Sequence, residues 1–114
     1  MNKFIPHQIS LAEAIGLTSR YRQEPVTGLF LSEAYDAASV LALLQQPACK
    51  SFRLYLGRKE DGSICTVLVA ADADGKDILP PAPQAAMSDD DEGILLENAF
   101  HCPPICPPPS PLNG

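Results

Sequence analysis

The chain has 114 residues, twelve of them proline, with 46% hydrophobic and 19% charged residues and a formal net charge of −6. One domain is the default at this length, and the apolar content is too high for a disordered chain. The negative field argues against a nucleic-acid partner, and the eight basic residues form no run that would offset it.

The opening, Met1-Asn2-Lys3-Phe4-Ile5-Pro6-His7, lacks the apolar stretch of a signal peptide. The longest apolar runs, Val40–Leu44 and Val67–Ala71, fall far short of the ~20 residues that span a bilayer. A soluble cytoplasmic protein without a membrane partner is expected, with its four cysteines mostly reduced.

Ser10-Leu11-Ala12-Glu13 is a capping box, so a helix should run from Leu11 to about Gln23. Leu11, Ala14, Ile15, Thr18 and Tyr21 form its inward stripe, and Pro25 stops it. Gly28–Leu31 reads as a short strand. Asp36 caps a second helix, with Tyr35 and Val40 as a hydrophobic staple. Ala37, Val40, Leu41 and Leu44 are its expected buried face, and Pro47 ends it after Gln46.

Asp61-Gly62 is the dipeptide of a two-residue type I′ hairpin loop. That loop pairs Leu56 with Val67, Leu54 with Val69 and Phe52 with Ala71, which seals these six side chains on one face. The opposite face then carries Tyr55, Leu68, Ile64 and Ala70, a half-apolar candidate surface for a protein partner or a homo-oligomer. Asp74-Gly75 repeats the turn and folds Lys76–Leu79 back with Ile78 opposite Ala71. It also sets Asp72 against Asp77, an unfavourable like-charge pair.

The expected fold is α+β, with two helices on one face of a small antiparallel sheet in the order α-β-α-β-β-β and a proline-rich C-terminal tail. Residues 1–79 form the core domain and 80–93 a proline-rich, acidic linker with the run Asp89–Glu92. Residues 94–114 hold a short apolar segment, read as a last strand, and the tail. Cys102–Gly114 contains six prolines and is expected to be extended.

The tail contains His101-Cys102-Pro103-Pro104-Ile105-Cys106. A polyproline II path would hold the two cysteine Cα atoms ~12 Å apart, whereas a disulfide needs about 7 Å or less. A plain tail is therefore the favoured reading. A thiol redox pair, or a zinc site with His101, Cys102 and Cys106 as three ligands, requires the chain to bend between Pro103 and Ile105, for example through a cis Pro104. No other cofactor is indicated. Asp72, Asp74 and Asp77 are a poor match to a calcium loop because Gly75 comes too early. No phosphate loop, G-x-S-x-G or H-E-x-x-H is present.

Taken in order, Tyr21-Arg22, Gln46-Pro47-Ala48-Cys49, the hairpin and Cys102–Cys106 resemble a family of small bacterial proteins that end in Cys-Pro-Pro-x-Cys. The resemblance implies one intact domain and a tail that matters, and it brings no activity with it. A non-enzymatic binding or accessory module is the first expectation, and a thiol redox or metal protein using the tail is the second.

Overall fold

The computed structural model describes residues 5–80 and 93–113. The expected linker at 80–93, including its acidic run, lies almost entirely outside the described residues. The chain is α+β, with helices α1 (Leu11–Gln23) and α2 (Ala37–Leu44) and strands β1 (Ser32–Ala34), β2 (Ser51–Arg58), β3 (Ile64–Ala71), β4 (Leu95–Leu96) and β5 (Phe100–Cys102). Two antiparallel sheets form: β2-β3-β4, and a separate pair β1-β5. No helix among the described residues is long and apolar enough to cross a membrane.

Both helices begin where their caps require. Ser10 Oγ accepts from Glu13 N–H (3.1 Å), and Asp36 Oδ2 accepts from Ser39 N–H (3.2 Å). Their packing departs from expectation. α2 lies over β3 and β4, whereas α1 buries none of its residues. A single helix therefore covers the three-stranded sheet, not two. α2 presents Leu43, which is fully buried, and Val40 packs at the edge of the same cluster. Leu41 and Leu44, expected inside, are 53% and 41% exposed.

The hairpin closes differently from the sequence expectation. Gly62 N–H donates to Lys59 O (2.9 Å) and Lys59 N–H to Ser63 O (2.8 Å), which makes a three-residue loop. Gly62 takes φ 92° while Asp61 stays out of the left-handed region, so this is a type I turn with a glycine bulge. A type I′ turn would have forced Asp61 to positive φ as well. Asp61 Oδ1 instead accepts from Ser63 N–H (2.9 Å) and Ser63 Oγ–H (2.7 Å), and these bonds hold its carboxyl below the usual range.

The extra loop residue slips the register by one. Leu56 opposes Thr66, Leu54 opposes Leu68, and Phe52 opposes Ala70. Side chains directly opposite share a face, so the two expected faces are mixed. Leu68 (4% exposed) and Ala70 (0%), expected on the open surface, sit in the core with Leu43 and Ile78. Phe52, Leu54 and Leu56, expected in the core, are 48%, 52% and 72% exposed. Tyr55 stays at the surface and Ile64 is half-buried.

Asp74-Gly75 builds the same turn. Gly75 N–H donates to Asp72 O (3.0 Å), and Asp72 N–H to Lys76 O (2.9 Å). The slip places Lys76, not Asp77, opposite Asp72 and so removes the like-charge clash. Asp77 instead pairs with Arg53 and accepts from Tyr55 Oη–H. The expected strand at Lys76–Leu79 shrinks to one bridge, Ala71 with Asp77, and Ile78 N–H donates to Ala70 O. The first strand forms at Ser32–Ala34 and not at Gly28–Leu31, because its partner is the distant segment Phe100–Cys102.

Candidate functional site

The tail is docked, not loose. Ser32, Glu33 and Ala34 pair with Cys102, His101 and Phe100, and Leu31 N–H donates to Cys102 O (2.9 Å). Beyond β5 the chain doubles back, with cis peptides at Cys102–Pro103 and Pro103–Pro104 and a bond from Ile105 N–H to His101 O (2.8 Å). This bend brings the Cα atoms of Cys102 and Cys106 to 4.4 Å, and the two sulfurs form a disulfide. The extended tail expected from its prolines is thus replaced by a closed loop, and two of the four cysteines are joined.

After Cys106 the tail returns to α1. Arg22 Nη1 donates to Leu112 O. Asn113 Nδ2 donates to Pro108 O (2.9 Å), and Asn113 Oδ1 accepts from Ser110 N–H (2.8 Å). These bonds shape the last residues into a wall facing the helix. Between wall and helix lies a pocket of about 530 Å³. One side is Leu17, Thr18, Tyr21 and Arg22 of α1; the floor is Leu31, Ser32 and the disulfide; the far side is Pro107, Pro109, Leu112 and Asn113. Pockets of this size commonly hold small ligands.

The pocket explains why α1 buries nothing. Leu17, outside the expected inward stripe, turns toward the tail with Thr18 and Tyr21 and stays 55% exposed. Tyr21 Oη–H donates to Phe30 O (3.1 Å), which fixes the ring at the pocket rim. The one charged side chain in the lining is Arg22. A guanidinium carries five N–H donors, and the Leu112 carbonyl takes one of them.

A polar chain runs behind the disulfide. The His101 ring stacks on Phe30 (centroids 4.9 Å, 27° between planes), and its Nε2 lies against Glu33 Oε2. That contact is a close approach, not an aligned hydrogen bond, so the ring is the polar neighbour of Oε2. Glu33 Oε1 accepts from Thr66 Oγ1–H. Thr66 is 3% exposed, and its single hydroxyl proton is spent on Glu33. Tyr35 Oη–H donates to Thr66 O (2.9 Å), and the phenol oxygen lies 2.7 Å from Thr66 Oγ1. Burial pushes the Tyr35 phenol up, against the opposing pull of its contact with the Thr66 side chain. This chain links the β1-β5 pair to β3.

Of the residues expected to hold zinc, His101 faces Glu33 and Phe30, while Cys102 and Cys106 face each other. In this oxidised form the three do not converge as a ligand set. Among the described residues no group of three or more His, Cys, Asp or Glu side chains is spaced to hold a metal ion. Cys65 is buried opposite Gly57, whose missing Cβ leaves room for the sulfur (an added Cβ would lie 3.2 Å from it). Burial, with Glu97 nearby, pushes its thiol up and makes it a poor nucleophile. Cys49 is a free, half-buried thiol that donates to Ser51 O.

The sequence favoured a plain tail, with a Cys102–Cys106 pair as the lesser reading, and did not single out Leu17, Arg22, Leu31 and Leu112 as a lining. The Tyr21-Arg22 step at the end of the first helix was the available signal, since Arg22 is where the helix meets the tail. No family model, curated protein or solved structure matches the chain.

Proposed function

We propose that this protein is a binding module whose site is the pocket between α1 and the tail, and that its ligand has an apolar body with a carboxylate end. The observation that carries this reading is an apolar, disulfide-floored pocket with a single guanidinium at its wall. Leu17, Leu31, Pro107, Pro109 and Leu112 offer contact area to a hydrocarbon or an apolar peptide end. Arg22 adds a charge-assisted hydrogen bond to the carboxylate, worth about 1.5–3 kcal/mol in general.

Decanoate and decanol separate these contributions. Titrated against the isotope-labelled chain, decanoate should shift the methyl signals of Leu17, Leu31 and Leu112 and bind at least about tenfold more tightly than decanol. Arg22→Gln should remove that preference, so that decanoate and decanol bind alike. Absence of methyl shifts with both compounds would end this reading.

A second reading rests on the accessibility of the disulfide, in which Cys102 is 5% exposed and Cys106 is open to solvent. Here a thiolate of a dithiol partner attacks Cys106 Sγ. The Cys102–Cys106 bond breaks, a mixed disulfide forms, and Cys102 leaves as thiolate. The partner's second thiolate then attacks its own bridged sulfur and releases Cys106, so the partner is oxidised and the protein reduced. Incubation with a model dithiol peptide should convert one disulfide into another in equal amounts. Persistence of the protein disulfide while the peptide stays reduced counts against this reading.

A further inference from the structure

We infer that the protein pairs with a second copy of itself through β2, strand against antiparallel strand, centred on Leu54. β2 is the outer strand of the order β2-β3-β4, and it is eight residues long. Edge strands are usually short, charged or covered. This one presents Phe52, Leu54 and Leu56 at 48%, 52% and 72% exposure, because α2 lies over β3 and β4 and leaves β2 uncovered.

The backbone is phased for pairing. Lys59 N–H bonds to β3 at Ser63 O, so the odd-numbered residues of β2 aim their amides and carbonyls inward. By alternation Phe52, Leu54 and Leu56 turn theirs to the edge. The apolar side chains and the outward backbone groups thus belong to the same three residues.

The occupant follows from the pattern of the strand itself. A twofold axis through Leu54 sets Leu54 against Leu54 and Phe52 against Leu56, so the apolar face meets only apolar groups. On the other face the same axis sets Arg53 against Tyr55, a guanidinium beside an aromatic ring. Moving the axis to Arg53 would oppose two arginines, and moving it to Tyr55 would oppose Phe52 with Arg58. Lys50 and Arg58 meet at the two ends and confine the ladder to Ser51–Gly57. The product is a continuous six-stranded sheet with both central edges covered.

Size-exclusion chromatography with light scattering on the full chain should give twice the chain mass. Leu54→Lys opposes two ammonium groups across the axis and should give a monomer with unchanged circular dichroism, since Leu54 is half-exposed. Should that variant fail to fold, cysteine cross-linking reads the register directly. Opposed residues of a hydrogen-bonded pair have Cα atoms about 5.5 Å apart, within disulfide reach. Leu54→Cys should therefore form a covalent dimer on mild oxidation, well above the wild-type background from Cys49 and Cys65. Leu56→Cys should not, because residue 56 meets residue 52. A wild-type monomer at every concentration, a dimer indifferent to Leu54→Lys, or equal cross-linking at 54 and 56 would each overturn the proposal.

Discussion

Leu43→Ala should lower stability by about 3 kcal/mol, within the ~2–5 kcal/mol range of buried leucine truncations. Leu43 is one of two large side chains that are fully buried among the described residues. Its neighbours in the cluster are Leu68, Ala70 and Ile78. Ala70 cannot grow into the void, and Leu68 and Ile78 belong to the β3 region, so the cavity would stay largely open. A domain of this size has roughly 5–15 kcal/mol in total, and the melting temperature should fall by roughly 10–20 °C. Leu41→Ala, two positions earlier on the same helix but 53% exposed, should cost less than about 1 kcal/mol. Leu43→Met keeps the volume and should cost under about 1.5 kcal/mol. Thermal melts of the three variants check this, and equal losses for Leu41→Ala and Leu43→Ala would refute the observed orientation of α2.

That comparison also shows where the sequence was readable. Both helix starts were legible because a cap is a local contract: Ser10 and Asp36 satisfy amides three residues away. The existence of the hairpin was legible for the same reason. Its register was not, since Asp-Gly serves both a two-residue I′ loop and a three-residue loop with a glycine bulge. The choice lies with the Asp61 carboxylate, which is better used on Ser63 in the longer loop. One residue of slip then put Leu54 and Val69, expected on one face, on opposite faces, the first moving out to 52% exposure while the second stayed buried. The helix faces were hard to read because Leu41, Leu43 and Leu44 are equally apolar, and only the position of the sheet selects among them. The site was the least legible part. Proline content suggested an extended tail, yet β1 and β5 meet across almost seventy residues, and Arg22 bonds Leu112 at a separation of 90. Periodicity and spacing carry no information on contacts of that range.

Glu33→Ala should cost roughly 3 kcal/mol and should act first on the pocket. The Glu33 side chain is 8% exposed and sits in the middle of β1, opposite His101. Its two oxygens serve both sheets, one against His101 Nε2 and the other accepting from Thr66 Oγ1–H. A buried donor left without its acceptor costs about 1–3 kcal/mol. The upper end applies here, because the Glu33 carboxyl meets both His101 and Thr66. Thr66, at 3% exposure, loses the carboxyl that accepts its hydroxyl proton and keeps only its contact with Tyr35 Oη. Glu33→Gln retains an acceptor for Thr66 and should lose only about 1–1.5 kcal/mol. Cys102 follows His101 directly, and Ser32 precedes Glu33, so two of the floor residues of the pocket hang on this pair. Decanoate binding should therefore weaken in Glu33→Ala at temperatures where circular dichroism still reports a folded chain. A double-mutant cycle with His101→Ala measures the coupling, expected at 0.5 kcal/mol or above for groups in contact. Zero coupling, with wild-type melting in the Glu33→Ala chain, would mean that the polar chain behind the disulfide holds neither the tail nor the pocket in place.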